Sequence, residues 1–93
     1  MPITRINEFR ARKGKGDTLH AIFAAVQPSI QAAPGCLSCR LIRGVDDPDL
    51  IVLLEEWARV EDHQAALKAI PPSEFEKVMP LLAGPPSGVY FQG

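Results

Sequence analysis

Asp49-Leu50-Ile51-Val52-Leu53-Leu54-Glu55-Glu56-Trp57 decides the fold. Five apolar residues run without a break, two carboxylates follow, and the only tryptophan closes the segment. A strand packed on one face alternates apolar and polar residues, whereas an unbroken apolar run of strand length is covered on both faces. A chain of 93 residues has little material for covering two faces. The run therefore predicts that a second copy of the chain covers one side of the sheet. It also places Trp57 at the edge of the enclosed space.

The flanking segments supply the rest of the sheet. Ile3 to Arg12 is strand-like, with Ile3, Arg5, Asn7, Phe9 and Ala11 on one face and Thr4, Ile6, Glu8 and Arg10 on the other. Lys13-Gly14-Lys15-Gly16 is a turn, and Asp17 is a good helix N-cap. Leu19, Ile22, Phe23, Val26 and Ile30 then form one apolar stripe on a helix of about 16 residues. Pro28 should kink it or tighten its last stretch, and Pro34-Gly35 should end it. Cys36 to Val45 is a second strand. The acidic turn Asp46-Asp47-Pro48-Asp49 joins it as a hairpin to the third, Leu50 to Trp57. Glu61 to Ile70 reads as a helix with Ala65, Ala66, Leu67 and Ile70 inward. Ser73 can cap a further helical turn from Glu74 to Leu82, with Phe75, Val78, Met79 and Leu82 apolar and Pro80 disturbing it. Val89-Tyr90-Phe91 is a last short strand. The ending from Gly88 to Gly93 also partly matches a protease-recognition remnant, and we read it as the native strand.

Strand, helix, strand, strand, helix, strand is the split βαβ, ferredoxin-like α+β pattern. Right-handed crossovers put both helices on one face of a four-stranded antiparallel sheet, with the first and third strands central. The opposite face, carrying the Leu50–Leu54 run, is the expected homodimer surface. The whole of 1–93 is expected to be one domain.

The net charge of −1 and pI of about 6.1 provide no basic face for nucleic acid. No apolar run approaches the ~20 residues of a membrane span, and Met-Pro-Ile-Thr-Arg opens no secretory leader, so a cytoplasmic protein is expected. Cys36-Leu37-Ser38-Cys39 has redox-pair spacing. On a strand, however, positions i and i+3 face opposite ways, so two reduced thiols are expected. No second Cys or His pair is spaced for zinc, and no metal site is expected.

Glu55 and Glu56 point to opposite faces of their strand. Glu55 shares a face with Trp57, which makes it the better candidate for a cavity carboxylate with a raised pKa acting as a base. His63, beside Glu61 and Asp62, reads either as a solvated helix start or as a site residue. Arg40 and Arg43 read either as cross-strand charge partners or as anion contacts. Glu55, His63 and Arg40 are the substrate-binding candidates. Phe9, Phe23, Phe75 and Met79 read as core.

Pro34-Gly35-Cys36-Leu37-Ser38, Asp47-Pro48-Asp49 and Leu54-Glu55-Glu56-Trp57, in that order and spacing, resemble the antibiotic biosynthesis monooxygenase family of dimeric α/β barrels. The similarity runs from Ile3 to Tyr90. It implies a homodimer that oxidises a small aromatic, phenolic or quinol compound with O2, using no flavin, haem or metal. The alternative is a non-catalytic dimeric module that binds a small ligand or only assembles. Asn7 and Trp57 match the positions of a first-strand asparagine and a third-strand tryptophan that face one pocket in the monooxygenase and haem-degrading members, and are the catalytic candidates. An amide can bond a phenol or enolate oxygen, and an indole supplies an apolar wall with one N–H donor. Many relatives also carry a histidine nine or ten positions after the tryptophan. Here those positions are Ala66 and Leu67, and His63 follows Trp57 by six. The resemblance therefore lends no support to haem ligation from that helix.

Overall fold

The computed structural model describes residues 1–93. Four strands, β1 (Ile3–Arg10), β2 (Cys36–Arg43), β3 (Leu50–Trp57) and β4 (Ser87–Phe91), form one antiparallel sheet in the order β2-β3-β1-β4. The helices are α1 (Gly16–Gln31), α2 (Val60–Ala69) and α3 (Pro72–Val78), followed by a 3₁₀ turn at Met79–Leu81. This is the ferredoxin-like α+β arrangement, with β1 and β3 central as the crossover argument requires.

The core lies between the sheet and α1. Leu19 and Phe23 of the helix stripe pack with Ala11, Cys39, Ile51, Leu53, Val78 and Leu82, and the Phe9 and Phe23 rings sit 4.5 Å apart. Along β3, Ile51, Leu53, Glu55 and Trp57 face the helices and are buried. Leu50, Val52 and Leu54 face away and are only half-buried. Ile6, Ile42, Val89 and Phe91 extend that outer apolar surface across the sheet, through the pairs Ile6↔Leu54, Ile42↔Val52 and Ile6↔Val89. The unbroken apolar run thus has one face in the core and one without cover in the chain itself.

Several local expectations change. Asp17 is not the N-cap of α1: it lies in the first turn and pairs with Arg43 at 2.7 Å. The first backbone N–H groups are met instead from across the fold. The Asp49 carboxylate accepts from Gly16 at 2.9 Å and from Gly14 at 3.2 Å. A carboxylate is favoured there because the helix N-terminus carries a partial positive charge. Pro28 lies inside α1, and the helix closes within one turn through a tighter bond from the Ala33 N–H to the Ile30 carbonyl. Gly35 then turns the chain at φ +85, and a side chain there would also strike the Asp62 carboxyl.

On α2 the inward residue is His63, while Ala65 and Leu67 are exposed. Phe75 and Met79 are not core but 46% and 54% exposed; of that stripe Val78 and Leu82 face the interior. Ser73 caps nothing; Pro71 precedes the helix and Pro72 opens it.

Candidate functional site

Alternation along two central strands gathers the site. On β1, Arg5 and Asn7 face the helices. On β3, Glu55 and Trp57 do the same, with Arg5 opposite Glu55 and Asn7 opposite Leu53. β4 adds Tyr90 beside Arg5 and Gly88 beside Asn7. α2 lays His63 over the group. Trp57, Glu55 and His63 are 1%, 3% and 3% exposed, and Arg5, Asn7 and Tyr90 are half-buried.

A carboxylate at that depth needs donors, since an unpaired buried charge is costly. The Trp57 indole Nε1–H donates to Glu55 Oε1 at 2.9 Å and Asn7 Nδ2 donates to Oε2 at 3.1 Å. Asn7 Nδ2 also reaches the Leu53 carbonyl at 3.3 Å, and its Oδ1 accepts from Arg5 Nε at 2.8 Å. The Arg5 guanidinium lies 4.5 Å from the centre of the Tyr90 ring. His63 Nδ1 and the Tyr90 hydroxyl are 2.6 Å apart. The His63 ring meets Trp57 and Tyr90 edge-on at 5.5 and 5.3 Å. No buried side-chain nitrogen or oxygen lacks a partner.

Burial sets the charges. It pushes Glu55 above the ordinary carboxylate range, against the opposing pull of the Trp57 hydrogen bond and the Arg5 charge. It lowers His63 to about 4, with the Arg5 charge adding to the effect. His63 is therefore neutral at pH 7. Its Nε2 stands 3.7 Å from Glu55 Oε1, too far for a hydrogen bond, and because the ring is neutral the two do not form an ion pair at that pH. With the ring proton on Nε2, the Tyr90 hydroxyl donates to Nδ1. Glu55, His63 and Tyr90 then line a polar path from the buried carboxyl to the half-exposed edge of the sheet.

This arrangement predicts an acid-side stability loss traceable to one residue. Unfolded His63 takes up a proton below its ordinary value near 6.5, whereas the folded residue does so only near 4. The His63 contribution to stability is thus full above pH 6.5 and falls as pH drops through that window, by up to about 1.4 kcal/mol per unit. Glu55 acts in the opposite sense, because its raised folded value stabilises the acid side and that contribution is lost as pH rises through it. Urea midpoints measured from pH 7 to pH 4 should fall less steeply in His63→Gln. An unchanged slope would show that His63 is not the group responsible.

Four of the five sequence candidates come together: Asn7, Trp57, Glu55 and His63. Arg40 does not join them. It is exposed on the other face of the sheet, paired with Leu54. His63 is no solvated helix start, because its ring points at Trp57 and Tyr90. Arg5 and Tyr90 escaped the sequence reading as site residues. Arg5 shares the Asn7 face two positions earlier, which was a usable signal, but Tyr90 required the β1–β4 register. The cysteines are also redirected. A bulge between Cys36 and Ser38 places Cys36 opposite Trp57 and Cys39 opposite Glu55, so both face the helices rather than opposite ways. Both are free thiols, and burial raises Cys39 to about 12. No group of three or more His, Cys, Asp or Glu side chains is placed to hold a metal, and no helix is long and apolar enough to cross a membrane.

The antibiotic biosynthesis monooxygenase family model matches residues 2–77. A candidate antibiotic biosynthesis monooxygenase from Chloroflexus aurantiacus is 30% identical, with TM-score 0.75 over 100% of this chain and 95% of that one. Rv0793 from Mycobacterium tuberculosis is 22% identical, with TM-score 0.86 over 100% and 95%. A variant of SnoaB, a cofactor-independent oxygenase from Streptomyces nogalater, is 20% identical, with TM-score 0.81 over 99% and 92%. These last two share the fold. No curated protein matches the chain.

Proposed function

The chain belongs to the antibiotic biosynthesis monooxygenase family, and from that premise we propose that it is a cofactor-independent monooxygenase of a small aromatic, phenolic or quinol compound, acting as a homodimer of one-domain protomers. The observation that carries this reading is the hydrogen-bonded cluster of Asn7, Glu55 and Trp57 beside His63 and Tyr90. The fold likeness to SnoaB, a cofactor-independent oxygenase, supports it.

The chemistry needs a proton acceptor, a polar anchor and a dry wall. Glu55, with its raised pKa, is better matched to a phenolic proton than His63, which binds protons only near pH 4. In the proposed cycle Glu55 takes that proton. The phenolate gives one electron to O2, and the resulting radical and superoxide join as a carbon–peroxide bond. Glu55 returns the proton, and loss of water leaves the carbonyl of a quinone. One oxygen atom enters the product and the other leaves as water, so the substrate supplies all the electrons. Asn7 Nδ2 exchanges its longer contact, to the Leu53 carbonyl at 3.3 Å, for the substrate oxygen. Trp57 walls the site and keeps its indole N–H on Glu55.

Oxygen consumption by metal-free protein against a panel of quinols and polyphenols tests the reading. Asn7→Ala should lower uptake about a hundredfold or more, the scale of losing one oriented donor to a developing oxyanion. Uptake unchanged by Asn7→Ala would remove this site from the chemistry. Ligand binding with no uptake would assign the chain to the alternative, a non-catalytic dimeric binding module.

A further inference from the structure

Arg5 is held as though for a partner the chain does not contain. It sits on a central strand, on the helix side of the sheet, where the packed helices lie over β2 and β3. Its guanidinium is fixed from three directions. Asn7 Oδ1 accepts from its Nε at 2.8 Å, and the Tyr90 ring lies 4.5 Å beneath it. The third contact is with Gly88, where a Cβ would collide with Nη2 and with Cζ. A glycine on β4 thus makes the room that the guanidinium occupies.

A cation drawn from water into a fold is normally met by a carboxylate or keeps its contact with water. Arg5 has none within ion-pair distance. Glu55 is its cross-strand partner, but that carboxyl is engaged by Trp57 and Asn7 and shifted toward its neutral form. Only Nε of Arg5 bonds within the chain, and no buried polar atom is orphaned, so Nη1 and Nη2 reach solvent. Two parallel donors at the end of an oriented planar group match the two oxygens of a carboxylate. Stacking on Tyr90 and bonding to Asn7 remove the rotamer freedom that a mobile arginine loses on binding.

We propose that the Arg5 end fork, framed by Tyr90 and Gly88, is a carboxylate-binding subsite, so that the preferred ligand is an aromatic acid whose ring lies toward Trp57 and Asn7. This rests on the site described above but not on turnover. It makes Arg5 a specificity-determining residue and Gly88 a positioning one.

Calorimetric titration of the full chain with 1-hydroxy-2-naphthoate and with 1-naphthol tests it. The acid should bind about ten- to hundredfold more tightly, the range of a hydrogen-bonded charged pair. Arg5→Gln should remove most of that preference while leaving naphthol affinity within a few-fold. Gly88→Ala should do the same with the charge retained, because its methyl would take the space of the guanidinium and push it from its seat. Arg5→Lys should keep part of the preference without the fork. Equal affinity for the two compounds, failure of the acid to bind, or a preference that survives both Arg5→Gln and Gly88→Ala would each overturn the proposal. Binding needs no oxygen chemistry. A carboxylate preference without oxygen uptake therefore rejects only the monooxygenase reading, and uptake without the preference rejects only this one.

Discussion

Trp57→Ala is expected to cost about 3–5 kcal/mol of stability and to abolish any chemistry at the site. The side chain is 1% exposed, so the substitution removes a large apolar group and leaves a cavity that the flanking strands cannot collapse into. It also takes away the indole donor from Glu55 Oε1, leaving a buried carboxyl with one bond fewer. The cost is a large share of the 5–15 kcal/mol that holds a domain together, so partial unfolding at 37 °C is expected. Trp57→Phe separates the two contributions. It refills most of the volume but not the hydrogen bond, and should cost about 1–3 kcal/mol. Because the indole bond restrains Glu55 from rising further, the phenylalanine variant should also move the carboxyl to still higher pKa. Urea unfolding followed by far-ultraviolet circular dichroism, at matched protein concentration, reads the first effect, since the only tryptophan is lost. A loss below about 1 kcal/mol for Trp57→Ala would mean that Trp57 does not anchor this end of the core.

Ile6→Glu is expected to convert the proposed dimer to a monomer. Ile6 sits mid-strand on the outer face of the sheet, with Leu54 on one side and Val89 on the other, so a carboxylate there has no cation directly opposite it on either neighbouring strand. The substitution should leave the fold intact, because that face is not the helix-side core. Two sheets packed face to face would instead bury two unpaired carboxylates, one from each copy. A cost of several kcal/mol for each corresponds to about a thousandfold or greater loss of affinity. Sedimentation at micromolar concentration should give a dimer for the parent chain and a monomer for Ile6→Glu, with unchanged circular dichroism. A monomeric parent would leave the apolar surface of Ile6, Ile42, Val52, Leu54 and Val89 without the cover proposed here.

The legible part of this chain lay in its periodicities. Leu50–Trp57 is the strand its apolar run announced, and the β1 alternation put Asn7 and Phe9 on one face, which the fold turns toward the helices. Placement of Glu55 with Trp57 needed only the rule that alternate residues share a face. The errors have a common cause. Asp17 looked like a cap because local sequence offers no better oxygen, yet Asp49, more than thirty residues away, supplies it. Phe75 and Met79 fit an apolar stripe, but of that stripe only Val78 and Leu82 are buried. Cys36 and Cys39 obey strand alternation only in an unbulged strand.

Order of elements, strand faces and the surplus apolar surface were properties of the sequence, because each depends on neighbours within a few positions along the chain. His63 was different. Flanked by Glu61 and Asp62, it has the local context of a solvated residue, and only the docking of α2 against β3 turns its ring onto Trp57 and Tyr90. Arg5 likewise becomes a fixed cation only when β4 returns to pair with β1 and brings Tyr90 and Gly88 against it. Burial and charge at the site are set by the packing of β1, β3, β4 and α2 on one another, and that packing exists only in the folded chain.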